Sequence, residues 1–247
     1  GITQDPLYYI KEDNTIQSLG TIGRHDSRQF VPVNTKIVVF PDKKYIDISS
    51  TPALHDLNWS LDYPEFAFLC EAGNRLWGCT SDGTQIWVSH LGDPTQFEDS
   101  GTDVGGWATA VGTPEKFTGC CKYMSSVLFF KENSMTKVLG DYPSNYQSYT
   151  YQMDGVKEGC YKSIVNINES LFYYGIHGVM TYGVGNPNLI SQNFGELELT
   201  EVTGGSDGEI LYLSGKDNND EHLFTYDFRN GVWIHEDDVY VKSFARD

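Results

Sequence analysis

NRLWGCTSDGTQIWVSHLGDPTQF, residues 74–97, is the stretch on which the fold assignment turns. It divides into two short strands, 75–80 and 84–89, around Ser81-Asp82-Gly83. Asp-Gly tolerates the positive φ angles of a tight turn, so the pair predicts a hairpin. Leu76, Gly78 and Thr80 alternate with Trp77 and Cys79, and Ile86 and Val88 alternate with Trp87 and Ser89. Apolar residues fall in both alternating sets, the pattern of strands that pack on two faces. Pro94, in LGDP at 91–94, has no N–H for a ladder and ends the hairpin. The unit is a hairpin followed by a polar excursion.

Similar units lie on either side. Upstream, strands at 7–10 and 15–19 flank Glu12-Asp13-Asn14, and KIVVF at 36–40 turns at Pro41-Asp42-Lys43 and returns along 44–48. A polar stretch through Trp59 to Pro64 leads to a strand at 65–70. Downstream, a Gly/Asp/Thr-rich connection at 98–116 contains Gly105-Gly106-Trp107. Strands are expected at 118–124, 126–131, 135–140 and 147–153, then at 161–167, 171–175 and 179–184. The last group is 209–214, a loop at 216–220, 222–227, 232–235 and 240–244. The hairpin cores recur: Ile37 to Leu76 is 39 residues, Leu76 to Leu128 is 52, Leu128 to Leu171 is 43 and Leu171 to Leu211 is 40. Gly-Cys-x-Lys also appears twice, at Gly119 and again 40 residues later at Gly159.

Four short strands every forty residues or so is the signature of propeller blades, each burying both faces against its neighbours. The expectation is therefore one all-β domain over 1–247, a β-propeller of about five four-stranded antiparallel blades, alone or as part of a larger ring. Approximate blades are 30–64, 65–116, 117–158, 159–204 and 205–247, with strands in 1–29 available to complete the ring. A β-sandwich is the alternative, since it also uses many short strands, but sandwiches carry no forty-residue echo.

Composition agrees with an all-β core: 39% of residues are hydrophobic and 14% aromatic, with sixteen Tyr and thirteen Phe. The formal net charge of −17 repels phosphate backbones and disfavours sequence-specific or broad nucleic-acid binding. No stretch of eighteen apolar residues is present, so no membrane helix is expected. Gly1 in place of Met points to a cleaved tag or an excised fragment. Cys70, Cys79, Cys120, Cys121 and Cys160 are odd in number and are expected as free thiols in a reducing compartment.

No motif supports an active site. Ser81-Asp82-Gly83-Thr84-Gln85-Ile86-Trp87 looks like the Asp box of sialidase propellers, Ser-x-Asp-x-Gly-x-x-Trp. It lacks the residue before Asp and the one after it, and an Asp-Gly turn explains it fully. Thirty-four acids allow many chance carboxylate pairs, and sequence does not select one for glycoside hydrolysis. His25, His55, His90, His177, His222 and His235 show no HExxH spacing. No Gly-x-Ser-x-Gly elbow, phosphate loop or dinucleotide fingerprint occurs. Asp217, Asn219 and Glu221 make a weak metal candidate, without the central Gly and trailing Glu of an EF-hand. A solvated hairpin loop accounts for them, and no metal or cofactor is expected.

NRLWG at 74–78, QIWVS at 85–89 and LGDP with Phe97 resemble a hairpin of phage virion proteins, the tail-hub, head-completion or DNA-stabilisation components of tailed phages. The pattern there runs Asn-Arg-Leu-Trp-Gly, turn, Ile-Tyr-x-Ser-x-x-Gly-Asp-Pro-x-x-Phe. SLFYYGIHGVMTYGVGNPNLIS at 170–191 is similar to later blades of such proteins, and the likeness covers about 65–244. Cys79, Trp87 and the insertion at 98–116 depart from it. The resemblance implies a non-enzymatic structural protein of the virion, at the tail or head-tail junction, resident in the host cytoplasm before assembly. Its implied partners are other virion structural proteins in a symmetric oligomer, without membrane contact. Interfaces concentrate aromatics, which singles out Trp87, Leu91, Phe97 and Trp107 as contact residues. The competing reading packs Trp77, Trp87 and Phe97 between blades. Two other functions compete: a carbohydrate- or protein-binding propeller, and a propeller glycoside hydrolase.

Overall fold

The computed structural model describes residues 4–25, 27–183, 185–194, 198–218 and 220–245. It is an all-β chain of antiparallel sheets, and each hydrogen-bonded pair joins strands consecutive in sequence. Strands β1 (Gln4–Ile10) and β2 (Ile16–Gly23) form a two-stranded sheet. Five four-stranded sheets follow. The first is β3 (Gln29–Val33), β4 (Lys36–Phe40), β5 (Lys44–Asp47) and β6 (Ala53–Asp56). The second is β7 (Phe66–Ala72), β8 (Arg75–Thr80), β9 (Gln85–Val88) and β10 (Trp107–Ala110). The third is β11 (Gly119–Tyr123), β12 (Ser126–Phe130), β13 (Ser134–Leu139) and β14 (Gln147–Gln152). The fourth is β15 (Val165–Ile167), β16 (Ser170–Gly175), β17 (Gly178–Tyr182) and β18 (Asn188–Leu189). The fifth is β19 (Thr200–Ser206), β20 (Ile210–Asp217), β21 (Asp220–Asp227) and β22 (Val232–Asp237). Three 3-10 turns are the helical content of the described residues, and no helix there is long and apolar enough to cross a membrane.

The residues divide into two compact units, 1–80 with 85–110 and 141–146, and 81–84 with 111–140 and 147–247. In the first unit, β4 is apolar on both faces for a visible reason. Val38 joins the cluster of Val31, Leu69, Leu76 and Phe97, whereas Val39 joins Leu7, Ile22 and Ile46. In the second unit, β16 occupies the middle of the core. Tyr173 meets Phe130, whose centroid is 5.2 Å away, and Phe172 meets Tyr226 at 6.3 Å on the other face. β8 and β12 are buried along their whole length, as their two-sided apolar pattern requires.

The spaced apolar residues Ile37, Leu76, Leu128, Leu171 and Leu211 all fall on the second strand of a four-stranded sheet. The Gly-Cys-x-Lys echo has no such equivalence: Gly119 opens β11, whereas Gly159 precedes a 3-10 turn at Tyr161–Ser163. That turn replaces the first half of the strand expected at 161–167. β6 lies in the polar stretch before Trp59, β10 in the connection expected at 98–116, and β19 where no strand was expected; of the loop expected at 216–220, Lys216 and Asp217 end β20 and Asp220 opens β21. Val184, expected at the end of a strand, lies outside the described residues. Residues 240–244, expected as a strand, form none; the segment is tied down by Val241 N–H donating to Ser214 Oγ at 2.8 Å. All five cysteines are free thiols. The turn after β8 is four residues, 81–84, rather than the three expected. Gly83 takes φ 79°, and a Cβ there would stand 2.5 Å from the Glu115 carbonyl oxygen.

Candidate functional site

The residues of the 74–97 stretch lock one another in place. Asn74 takes φ 57°, and its carbonyl accepts from Gly92 N–H at 2.7 Å. Leu76 N–H donates to Ser89 Oγ at 2.9 Å, while Ser89 N–H donates to the Leu76 carbonyl at 2.8 Å. Arg75 is 1% exposed. Its Nη1 donates to the Ser89 carbonyl at 2.8 Å and to that of Gly105 at 2.5 Å, and Nη2 donates to the Asp103 carbonyl. Burial pushes its pKa down from the ordinary guanidinium value. A buried cation here ties the start of β8 to the far end of the 90–106 excursion. The Asp93 carboxylate accepts from Thr95 N–H at 3.1 Å and Oγ1 at 2.8 Å, and the Pro94 carbonyl accepts from Trp59 Nε1 at 3.0 Å.

Of the four contact residues expected from the sequence, Leu91 alone is exposed, at 48%. Phe97 is 1% exposed and is corrected to a core residue: the excursion folds it back against Trp59, Tyr63 and Phe66, with centroids 5.3–5.7 Å away. Trp87 is half-buried, its Nε1 donating to Gln85 Oε1 at 2.8 Å. Trp107 is half-buried against Trp77 and Tyr146, with centroids at 6.4 and 5.4 Å. The four are not gathered on one surface. Nor are the metal candidates gathered. Cross-strand pairing sets Asp217 opposite Asp220 and Glu221 opposite Lys216, so Asp217 and Glu221 point to opposite faces of the hairpin. Asn219 lies outside the described residues. No cluster of three or more His, Cys, Asp or Glu able to hold a metal occurs among the described residues.

Beside the excursion, in the first unit, lies an open polar cleft of about 400 Å³. Tyr45 and Tyr63 supply its rings, Asp56 and Glu98 its carboxylates, Asn58 and Gln96 its amides, and Ser60 and Thr95 its hydroxyls. β5 places Tyr45, whose ring stacks on His55 at 5.1 Å, and the end of β6 places Asp56, which pairs with Lys44. Tyr63 is fixed by Phe97 N–H donating to its hydroxyl at 3.1 Å. A hydrogen bond from the Tyr63 hydroxyl holds the Glu98 carboxyl below its ordinary value, and burial, then Glu98, pushes the phenol up. His90 Nε2 lies 4.0 Å from the Glu98 carboxylate. A glycosidase acid needs a raised carboxyl pKa. Glu98 is displaced the other way. Rings beside amides and hydroxyls suit the binding of a hydroxyl-rich ligand. Sequence gave no route to this cleft, because its residues come from three separate stretches with no shared spacing.

No protein-family model matches the sequence, and no curated protein does. Among solved structures, the chain is similar to a Bacteroides fragilis protein described in words that go no further than presumed export. The two are 10% identical, the likeness covers 96% of this chain and 76% of that one, and the TM-score is 0.51. At that identity the likeness is one of fold.

Proposed function

We propose that this chain is a non-enzymatic structural protein of a tailed-phage virion. In this reading its five four-stranded sheets are propeller blades in one domain, and it works through protein–protein contacts at the tail or head-tail junction. The observation that carries the reading is the part played by the residues of the phage-like hairpin. Asn74 and Arg75 hold the loop against the start of β8, Asp93 turns the loop onto Thr95, and Pro94 anchors it on Trp59. A motif that builds a structural element travels with a fold and its assembly role rather than with a reaction. Sheets whose second strands repeat at near forty-residue spacing support the propeller arrangement. A chain of net charge −17 suits protein neighbours, or a channel wall that DNA passes without sticking, and not nucleic-acid or membrane binding. In the virion its neighbours are other structural proteins in a symmetric assembly; before assembly it resides in the host cytoplasm.

The polar cleft favours a second reading, a carbohydrate-binding module, through its paired tyrosines and amides. One experiment separates the two. Purified particles from the source genome are inventoried by mass spectrometry, and the recombinant chain is passed over a glycan array and assayed for glycan turnover. The virion reading expects stoichiometric chain in particles, with no turnover. Absence from particles together with glycan binding lost in Tyr45→Ala would replace it with the second reading. Turnover abolished by Glu98→Gln would replace both.

A further inference from the structure

The open edges of these sheets differ sharply in one respect. A strand edge offers unpaired N–H and C=O groups, and charges, prolines, bulges or shortness normally blunt it. β3 carries Pro32, β7 carries Glu71, β11 carries Lys122, and β22 carries Glu236. β19 and the β1–β2 pair have irregular registers. β10, β15 and β18 are four residues or fewer. β14, QSYTYQ, has none of these features: six residues long, every one exposed, no charge and a regular register against β13.

We infer that β14 is a self-association edge, pairing antiparallel with β14 of a second copy about a two-fold axis through Thr150. Met153 N–H donates to the Asn133 carbonyl at 3.1 Å, in the same register as the β13–β14 ladder. Alternation therefore turns the backbone groups of Gln147, Tyr149 and Tyr151 toward β13 and those of Ser148, Thr150 and Gln152 outward. Pairing centred on Thr150 sets Ser148 against Gln152 of the second copy and forms roughly six hydrogen bonds, two for each outward pair.

The side chains select a second copy as the occupant. Tyr-Thr-Tyr reads the same in both directions, so this register puts Tyr149 opposite Tyr151 of the second copy twice over. These pairs fall at the close, non-hydrogen-bonded positions, where aromatic pairs contribute most. Two chains of net charge −17 repel, and β14 lets them meet without placing one acid opposite another within the strand. This inference does not rest on the virion reading, since such a dimer serves a protein of any role, and either can fail alone.

The test uses the full chain. Sedimentation velocity across a concentration series should show a monomer–dimer equilibrium. Thr150→Pro removes an outward N–H and the hydroxyl contact with Thr136 Oγ1 at 2.9 Å while leaving the backbone ladder to β13 in place, so it should raise the dimer dissociation constant about tenfold or more. Thr150→Glu, which sets two carboxylates face to face, should do the same with unchanged circular dichroism, and it covers the case in which the proline variant fails to fold. Thr150→Cys should form an interchain disulfide at position 150 on mild oxidation, identified by peptide mapping against the wild type. A wild-type chain that stays monomeric throughout overturns the inference, even if a strand from another protein binds there. So does a dimer indifferent to Thr150→Glu and without the 150–150 cross-link.

Discussion

Replacing Arg75 with Met keeps the aliphatic stem and removes the guanidinium, which isolates what the buried charge contributes. Three carbonyls lose their donor: Ser89, Gly105 and Asp103. Asp103 is exposed and recovers water, but Ser89 and Gly105 are buried. Two buried acceptors left unsatisfied cost about 1–3 kcal/mol each. Against this stands relief from burying a cation whose Nε finds no partner, about 1–2 kcal/mol. At mid-range values the net loss is ~2.5 kcal/mol, a fall in Tm of about 5–10 °C for a chain of this size. The assay is a thermal melt with limited proteolysis under native conditions, where cleavage should appear in 98–106. Arg75→Lys, able to reach fewer of the three acceptors, should fall between. A Met variant that melts within about 1 kcal/mol of wild type and resists cleavage would refute the clamp.

Gly78→Ala should destabilise by about 1–3 kcal/mol, because the new Cβ would stand 2.6 Å from Phe66 Cδ1 and 2.9 Å from Leu69 Cδ2; urea titration reads this. Lys131 Nζ donates to the Gly83 and Thr113 carbonyls at 2.7 Å each, so Lys131→Met should cost about 2–4 kcal/mol and speed amide exchange at 81–84. Tyr63→Phe removes the hydroxyl that depresses Glu98, and its NMR titration midpoint should rise toward 4.5. A depressed carboxyl pKa adds stability that is present above the unfolded value and is lost as pH falls through the folded one. The stability gap between wild type and Tyr63→Phe should therefore be full above pH 4.5 and narrow below it; a gap that widens in acid would contradict the assignment.

What could be read from the letters was set by how many neighbours a strand has. β4, β8, β12, β16 and β20 are flanked on both sides within their sheets, so their apolar runs stood out and their spacing marked the sheets. Outer strands were harder. Ala53-Leu54-His55-Asp56 and Trp107-Ala108-Thr109-Ala110 mix small and polar residues because they pack lightly, and β19 contains Gly204 and Gly205. Gly205 is there because Phe244 presses on it, with the Phe244 Cβ 2.3 Å from where its own would sit. That contact joins residues far apart in sequence and leaves no local trace. Phe97, a contact candidate with core packing as the competing reading, is buried for a related reason. An aromatic shortly after a proline turn looks exposed until the excursion is seen to fold back. Arg75 belongs to a legible motif, but three backbone carbonyl acceptors have no residue signature, so its clamp leaves no trace in the letters.

Strands that bond only to the next strand along have a consequence for how the molecule comes into being. Each ladder needs only chain that has just been made, so closing it costs little entropy, and a growing polypeptide can finish one sheet before the next exists. Such a chain can also lengthen over generations by copying a segment of some forty letters, since the copy brings all of its own ladder partners with it.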